Sequence, residues 1–337
     1  MLTEYRQFGP KRVNVVTIGG GTGLSTLLTG LKTFVGPESL AGISIRNLSA
    51  IVAVSDDGGS SGRLRDEFQM PPPGDIRNCM VALSEDSMLL SKLFQYRFRG
   101  EGDLGGHSFG NLFLAALSEV TGDFAEAVRL SSEILASKGH IYPATVSDVR
   151  IAATLTDGTT VRGETNISRV GGSIKRLYLD PEECMPMPDA LRAIGDADII
   201  TLGPGSLYTS LLPPLLVHGV AEAITRSPAV KVFICNLMTQ PGETDGLSAS
   251  RHIEIVSEYV PALKFDIVIA NRQRITEEQA FKYRQDGAEQ IGIDTHGLLS
   301  AIGTAETRYD DLLDDGEKVR HNPYKLARAL LECLHKK

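Results

Sequence analysis

Residues 13–23 read VNVVTIGGGTG, and this stretch limits the possible folds more than any other. Val13, Val15, Val16 and Ile18 form an apolar, β-branched run, as expected of a strand buried on both faces of a parallel sheet. Gly19, Gly20, Gly21 and Gly23, with Thr22 among them, end that run, and Leu24, Leu27, Leu28 and Leu31 then recur at helical spacing. A strand, a glycine turn and a helix start in succession can present backbone amides to an anion. The turn is not a dinucleotide fingerprint, because Leu24 stands where the third glycine belongs. It is not a P-loop either, because no Gly-Lys-Ser/Thr follows. The alternative is a tight turn with no ligand. In a parallel sheet a ligand is expected at the carboxyl end of such a strand.

The same rhythm returns along the chain. A second strand over 48–54 runs into Ser55-Asp56-Asp57-Gly58-Gly59-Ser60-Ser61-Gly62. Gly74, Asp75, Ile76, Arg77 and Asn78 open a helix, with Asp75 as its expected cap. His107, Ser108, Phe109, Gly110 and Asn111 lead into another, and Asp123 is placed to cap a helix over 123–136. Between 145 and 179 the pattern alternates around Thr156-Asp157-Gly158-Thr159, a hairpin signal. We therefore expect an antiparallel insertion at about 140–180. Apolar strands resume at 196–202, 230–235 and 265–270, ending in Gly203-Pro204-Gly205-Ser206, in Asn236 and in Asn271. The expectation is one α/β domain over 1–337: a doubly wound, mostly parallel Rossmann-like sheet carrying the insertion. The acidic stretch 310–317 reads as a solvated turn, and 323–335 as a last helix begun by Pro323.

Several of these strand ends suggest chemistry. Asp56 and Asp57 side by side repel if buried. A Mg²⁺ ion shared with substrate phosphate would resolve that, since Mg²⁺ takes only one or two carboxylates. A turn cap and a solvated acid are the alternative. Arg77 in a first helical turn opposes the helix dipole, which either an anionic ligand or plain exposure would explain. His107 and Asn111, four apart, share a face if helical, and His107 is a candidate base or ligand donor. Ser108 sits in the letters of a G-x-S-x-G motif, but no buried strand precedes it, so it is no hydrolase elbow. Gly203, Gly205 and Ser206 form a second candidate anion turn. Asn236 and Asn271 either read a base or ribose or bond backbone in turns.

Composition excludes some classes. The net charge is −8, Trp is absent and aromatics are 6%, which speaks against nucleic-acid binding. No stretch is long enough to span a bilayer. Cys79, Cys184, Cys235 and Cys333 form no CxxC pair, and no apolar leader opens the sequence, so a reducing cytoplasm is expected.

Taken together, Gly19 to Gly23, Ser55 to Gly62, Pro73-Gly74-Asp75-Ile76-Arg77, His107 to Asn111 and Gly203-Pro204-Gly205-Ser206-Leu207 resemble the YvcK/CofD-like superfamily over nearly the whole chain. One branch of that superfamily is the 2-phospho-L-lactate transferase of coenzyme F420 biosynthesis. The other is the gluconeogenesis factor branch, tied to cell shape and to growth on gluconeogenic carbon. Asn236-Leu237-Met238-Thr239-Gln240-Pro241-Gly242-Glu243-Thr244 is typical of the second. The resemblance implies a UDP-sugar ligand such as UDP-N-acetylglucosamine, no obligate cofactor, and Mg²⁺ at Asp56 or Asp57 when a nucleotide is bound. It leaves two functions: a binding regulator whose partners act in cell-wall synthesis, or a Mg²⁺-dependent transferase of a phosphoryl-linked group with His107 or Asp75 as base. A homo-oligomer is expected in either case. A nicotinamide-dinucleotide oxidoreductase is disfavoured by Leu24.

Overall fold

A computed structural model describes residues 11–37, 40, 42–85, 88–303 and 305–336. Its strands are β1 (Lys11–Gly19), β2 (Ile43–Val52), β3 (His140–Pro143), β4 (Arg150–Leu155), β5 (Thr160–Arg162), β6 (Ile174–Asp180), β7 (Ile199–Leu202), β8 (Val230–Ile234), β9 (Ile267–Asn271) and β10 (Glu306–Asp310). Seven of them form one sheet in the order β10-β9-β8-β7-β1-β2-β3, and every pairing in it is parallel. The other three form a small antiparallel sheet, β5-β4-β6.

The apolar run of β1 explains its central place. Val13 and Val15 enter the core on one face, while Val16 and Ile18 enter the core on the other. Such two-sided burial requires helices on both faces. The helices Gly21–Leu31, Gly74–Leu83 and Pro323–Leu331 cover the first face; Pro188–Gly195, Leu212–Leu216 and Ala249–Tyr259 cover the second. From β1 the chain winds outward to β2 and β3. It then crosses back to β7 on β1's other side and winds outward again to β10. The strand order therefore reverses between β1 and β7, where Ile18 pairs with Leu202 and both glycine turns leave the sheet side by side. Ligands in such sheets bind at this reversal.

The antiparallel strands occupy 150–180, a shorter span than the expected 140–180. His140–Pro143 instead pairs in parallel with β2 at the sheet's edge. Pro143 is tolerated there because an edge strand can lack one donor. The hairpin at Thr156-Asp157-Gly158-Thr159 is present, closed by Leu155 N donating to Thr159 O at 2.8 Å. A helix, Glu164–Val170, lies between β5 and β6. The 306–310 segment, which alternation did not mark, is the edge strand β10, and the acidic loop follows it. Asp123 caps the helix Phe124–Ile134, accepting from Glu126 N at 2.9 Å. All four cysteines are buried and free. Among the described residues no single helix is long and apolar enough to cross a membrane.

Candidate functional site

At the reversal point the turn after β1 and the turn after β7 touch. A methyl group at Gly23 would lie 2.4 Å from Pro204 O, so only glycine permits this approach. Gly21 has φ +64, a left-handed conformation that glycine adopts without strain. The helices Gly21–Leu31, Gly59–Phe68 and Gly74–Leu83 all start here without a side-chain cap. By contrast, Ser108, Asp123, Ser248, Thr276 and Asn322 each cap a helix elsewhere. Uncapped first turns leave amide donors for an anion.

The turns after β1 and β7 line a cleft of ≈ 510 Å³. Gly20, Gly21, Thr22 and Gly23 line one side; Gly205, Ser206 and Ser210 line the next; Asn236 to Pro241 follow; Glu164 enters from the insertion; and Tyr283, Arg320 and His321 close it from the C-terminal third. A hollow of ≈ 530 Å³ beside β3 is slightly larger. Its wall arginine is already paired, Arg129 with Glu126 and Glu133.

Asn236 does not project freely. Its Oδ1 accepts from Gly205 N at 2.9 Å and its Nδ2 donates to Gly205 O at 2.6 Å, fixing the second glycine turn. Ser206 Oγ donates to Glu243 Oε2 at 2.5 Å, and Ser168 Oγ of the insertion helix donates to Glu243 Oε1 at 2.7 Å. Asn271 lies outside the cleft lining. Its amide bonds backbone, donating to Gln273 O at 2.7 Å and accepting from Leu312 N at 3.1 Å.

Asp75 is not a helix cap. Pro73 holds that position, and the Asp75 carboxylate crosses to accept from Gly21 N at 2.7 Å. Burial, with Asp56 adding to it against the Gly21 bond, pushes the Asp75 carboxyl up to about 6. Asp56 Oδ1 accepts from Gly58 N at 2.8 Å. Its other oxygen faces Gly74, where a methyl would lie 2.9 Å away. Asp57 points elsewhere: its Oδ1 accepts from Thr165 N at 3.0 Å and Thr165 Oγ1 at 2.8 Å, docking the insertion helix. Among the described residues no three His, Cys, Asp or Glu side chains are grouped to hold a metal ion. Asp56 alone fits a cation, and only with oxygens that a phosphate ligand brings.

Arg77, His107 and Asn111 form a second polar cluster, outside the cleft lining. Arg77 is buried, which removes plain exposure as the reason for its place. Its guanidinium donates to Ser108 Oγ at 2.7 Å and to Asn78 Oδ1 at 2.6 Å, while Asp75 and Asp56 offset its charge. His107 and Asn111 do not share a helical face, since the helix begins at Phe109. They meet through Ser60, whose hydroxyl accepts from Asn111 Nδ2 at 3.1 Å and shares a hydrogen bond with His107 Nδ1 at 3.0 Å. Burial, helped by Arg63 and Arg97, pushes the His107 imidazole down. Ser108 is the cap of the helix Phe109–Thr121.

Two cleft residues that the sequence reading did not assign carry the strongest sign of a ligand. Gln240 Oε1 and His321 Nε2 are buried without a hydrogen-bond partner, and both residues line the cleft. Burial pushes the His321 imidazole down to about 4, so it is neutral. Tyr283 holds the segment carrying His321, its hydroxyl accepting from Val319 N at 3.0 Å. Buried polar groups left unpaired are costly, and a ligand that pairs them offsets the cost.

The family described as 2-phospho-L-lactate transferase CofD matches residues 15–310. The chain is 46% identical over 322 residues to the gluconeogenesis factor of Halalkalibacterium halodurans, covering 96% of this chain and 97% of that one. It is 42% identical over 324 residues to the gluconeogenesis factor of Bacillus subtilis, covering 96% and 99%. A crystal structure of a UPF0052 family protein from Bacillus halodurans superposes with a TM-score of 0.89 at 45% identity, covering 95% of this chain and 99% of that one. The chain belongs to the CofD/YvcK family, also called UPF0052.

Proposed function

We propose that this protein binds a UDP-sugar, UDP-N-acetylglucosamine being the representative, across the cleft at the β1/β7 reversal, and that it acts by binding. One observation carries the reading: Gln240 Oε1 and His321 Nε2 are buried without partners in the wall of a cleft floored by two glycine turns. Uracil supplies an N3–H for the glutamine oxygen and a carbonyl for a histidine Nε2–H. The glycine turns suit the diphosphate. The relatives' name, gluconeogenesis factor, supports a regulatory role on gluconeogenic carbon. Cell-shape control through cytoplasmic cell-wall synthesis partners and a homo-oligomeric state are parts of the same proposal.

The family description supports a second reading, transfer of a phosphoryl-linked group. Transfer of a phosphoryl-linked group would call for a divalent ion such as Mg²⁺. Here Asp56 and the ligand's phosphates would hold the ion, which would supply charge neutralisation at the phosphoryl group. Asp75 and His107 lie outside the cleft lining and are already hydrogen-bonded; this favours the binding reading.

Calorimetry with UDP-N-acetylglucosamine, GDP and ADP-glucose, combined with product analysis in the presence of Mg²⁺ and assorted acceptor alcohols, separates the two. The expected result is binding of the uridine ligand, about tenfold or more weaker in His321→Ala, with no release of UDP or UMP. Steady nucleotide release abolished by His107→Ala would make the protein an enzyme.

A further inference from the structure

The helix Glu277–Gln285 has two sides of different chemistry, and no residue of it is buried. At 3.6 residues per turn Gln279 and Tyr283 share one side. Both hold the loop that brings Arg320 and His321 to the cleft. Gln279 Nε2 donates to Gly316 O at 3.1 Å, and the Tyr283 hydroxyl accepts from Val319 N at 3.0 Å. Glu277, Ala280, Phe281 and Arg284 share the opposite side and line a hollow of ≈ 780 Å³, which adjoins the cleft at Met238 and Ala288. Phe281 is 60% exposed there. Glu278 is paired with Lys282 at 2.9 Å, whereas Glu277 and Arg284 have no ion pair among the described residues. Arg274 and Glu289, also in the wall of the hollow, have none either.

We infer that this outer side is the contact between two copies of the chain, paired across a two-fold axis that passes between Ala280 and Phe281. The inference rests on the homo-oligomer proposed above, for which it names the contact, and does not need the nucleotide-sugar reading. The order Glu277-x-x-Ala280-Phe281-x-x-Arg284 carries it. Positions 277 and 284 lie equally far from the midpoint of 280 and 281. Two such helices packed antiparallel set Glu277 against the partner's Arg284, Phe281 against the partner's Ala280, and the reverse. A two-fold contact requires a patch that is complementary to itself in this way, and a large side chain facing a small one lets the helices interdigitate. The charges also decide against a charged peptide as the occupant. Glu277 and Glu289 balance Arg274 and Arg284 in the wall of the hollow, so a peptide of either sign meets as many like charges as unlike ones. A second copy meets unlike charges at both 277 and 284. A stable dimer buries at least about 1,200 Å² in all, more than one nine-residue helix offers. The hollow beside it, with Met238 and Ile275 in its wall, extends the apolar surface. Tyr283, on the other side of the same helix, lines the cleft, so the contact braces the cleft wall from behind.

The test is sedimentation and light scattering of the full chain without ligand, at low salt and over a series of protein concentrations. Wild type is expected to be a dimer. Arg284→Glu turns both charge pairs into like pairs and should raise the dimer dissociation constant about tenfold to a hundredfold. Glu277→Arg should do the same. Mixed in equal amounts, the two variants are expected to form a heterodimer as tight as the wild-type dimer, because each then meets unlike charges at both positions. Phe281→Ala should weaken the dimer about tenfold or more. All three side chains are exposed, and circular dichroism confirms that the variants fold. A dimer that Arg284→Glu and Phe281→Ala leave as tight as wild type overturns this contact alone. So does a mixture of the two charge variants that stays monomeric. A wild type that is monomeric at every concentration overturns the homo-oligomer proposal, and this inference with it.

Discussion

Replacing Gly23 with alanine tests the contact on which the cleft is built. The added methyl would lie 2.4 Å from Pro204 O, 2.7 Å from Pro204 C and 3.1 Å from Gly205 N. Real Cβ atoms stay beyond 3.0 Å, so one turn must retreat by about 0.6 Å. Both turns are anchored, the first through Gly21 N to Asp75 and the second through Gly205 to Asn236. The strain is therefore not relieved cheaply, and about 1–3 kcal/mol of stability should be lost. The same shift stretches an amide-to-phosphate bond from about 2.9 Å to about 3.5 Å, past the useful range. Losing one such charge-assisted bond weakens binding by about tenfold to a hundredfold. Gly195→Ala is the control, since nothing lies within 4 Å of its added methyl. Thermal unfolding and calorimetry with UDP-N-acetylglucosamine read both effects. If Gly23→Ala melts and binds like wild type while Gly195→Ala does the same, the two turns do not act as one site.

Asn236→Ala removes both bonds that fix Gly205; it should cost about 1–3 kcal/mol of stability and weaken the ligand as well, as denaturant titration and calorimetry will show. Asp75 carries a carboxyl raised from 3.8 to about 6 in the folded chain, so the folded state holds more protons than the unfolded one between those values. Its contribution is then least unfavourable below pH 3.8, falls as pH rises towards 6, and remains a penalty of about 3 kcal/mol above it. Asp75→Asn should flatten that part of the stability–pH curve and raise stability at pH 7; an unchanged slope between pH 4 and 6 would count against the assignment.

The fold was largely legible because β1, β7, β8 and β9 are apolar runs with glycine or asparagine at or just after their ends, and the second half of β2 is apolar as well; burial on both faces demands that composition. Edge strands are not under that demand. β10 reads Glu-Thr-Arg-Tyr-Asp and is half-buried throughout, so neither period nor apolarity marks it. The acidic loop after β10, read as solvated over 310–317, is exposed over 314–317; beyond it the chain returns through Val319, Arg320 and His321 to the cleft, and no local pattern marked that return. His140–Pro143 was absorbed into the insertion for the same reason. The glycine turns and Asn236 were visible as departures from apolar strands. Glu164 lay in a segment read only as alternating strand, and the glycine on either side of its short helix was the one local sign of a break. Gln240 stood in a quoted motif, but nothing in the local pattern says which of its polar residues remains unpaired after folding.

Acids near a cleft meant for a diphosphate work against it, yet Glu164 lines this one and Asp56, Asp75 and Glu243 lie close enough to act on its charge. Their local bonding reduces the conflict unequally. Glu243 is bonded by two hydroxyls and Asp75 by an amide, while burial keeps Glu164 protonated at neutral pH. Asp56 is the acid with an oxygen still turned towards Gly74 and away from its own turn. Asp57, its neighbour, is committed to Thr165. Replacing both aspartates together would therefore confuse a charge with a tether. Asp56→Asn alone is the clean variant. If Asp56 is the residue that meets a cation beside bound phosphate, Mg²⁺ should tighten UDP-N-acetylglucosamine binding in wild type and have no effect in Asp56→Asn. The variant should also bind more tightly than wild type in a chelator, because one repelling charge is gone. Two unit charges about 6 Å apart at an effective dielectric near 20 repel by about 3 kcal/mol before solvent screening. A several-fold gain in affinity is a conservative reading of that figure. Wild-type affinity that never responds to Mg²⁺, together with Asp56→Asn binding less tightly in the chelator, would show that Asp56 serves only to hold the turn at Gly58.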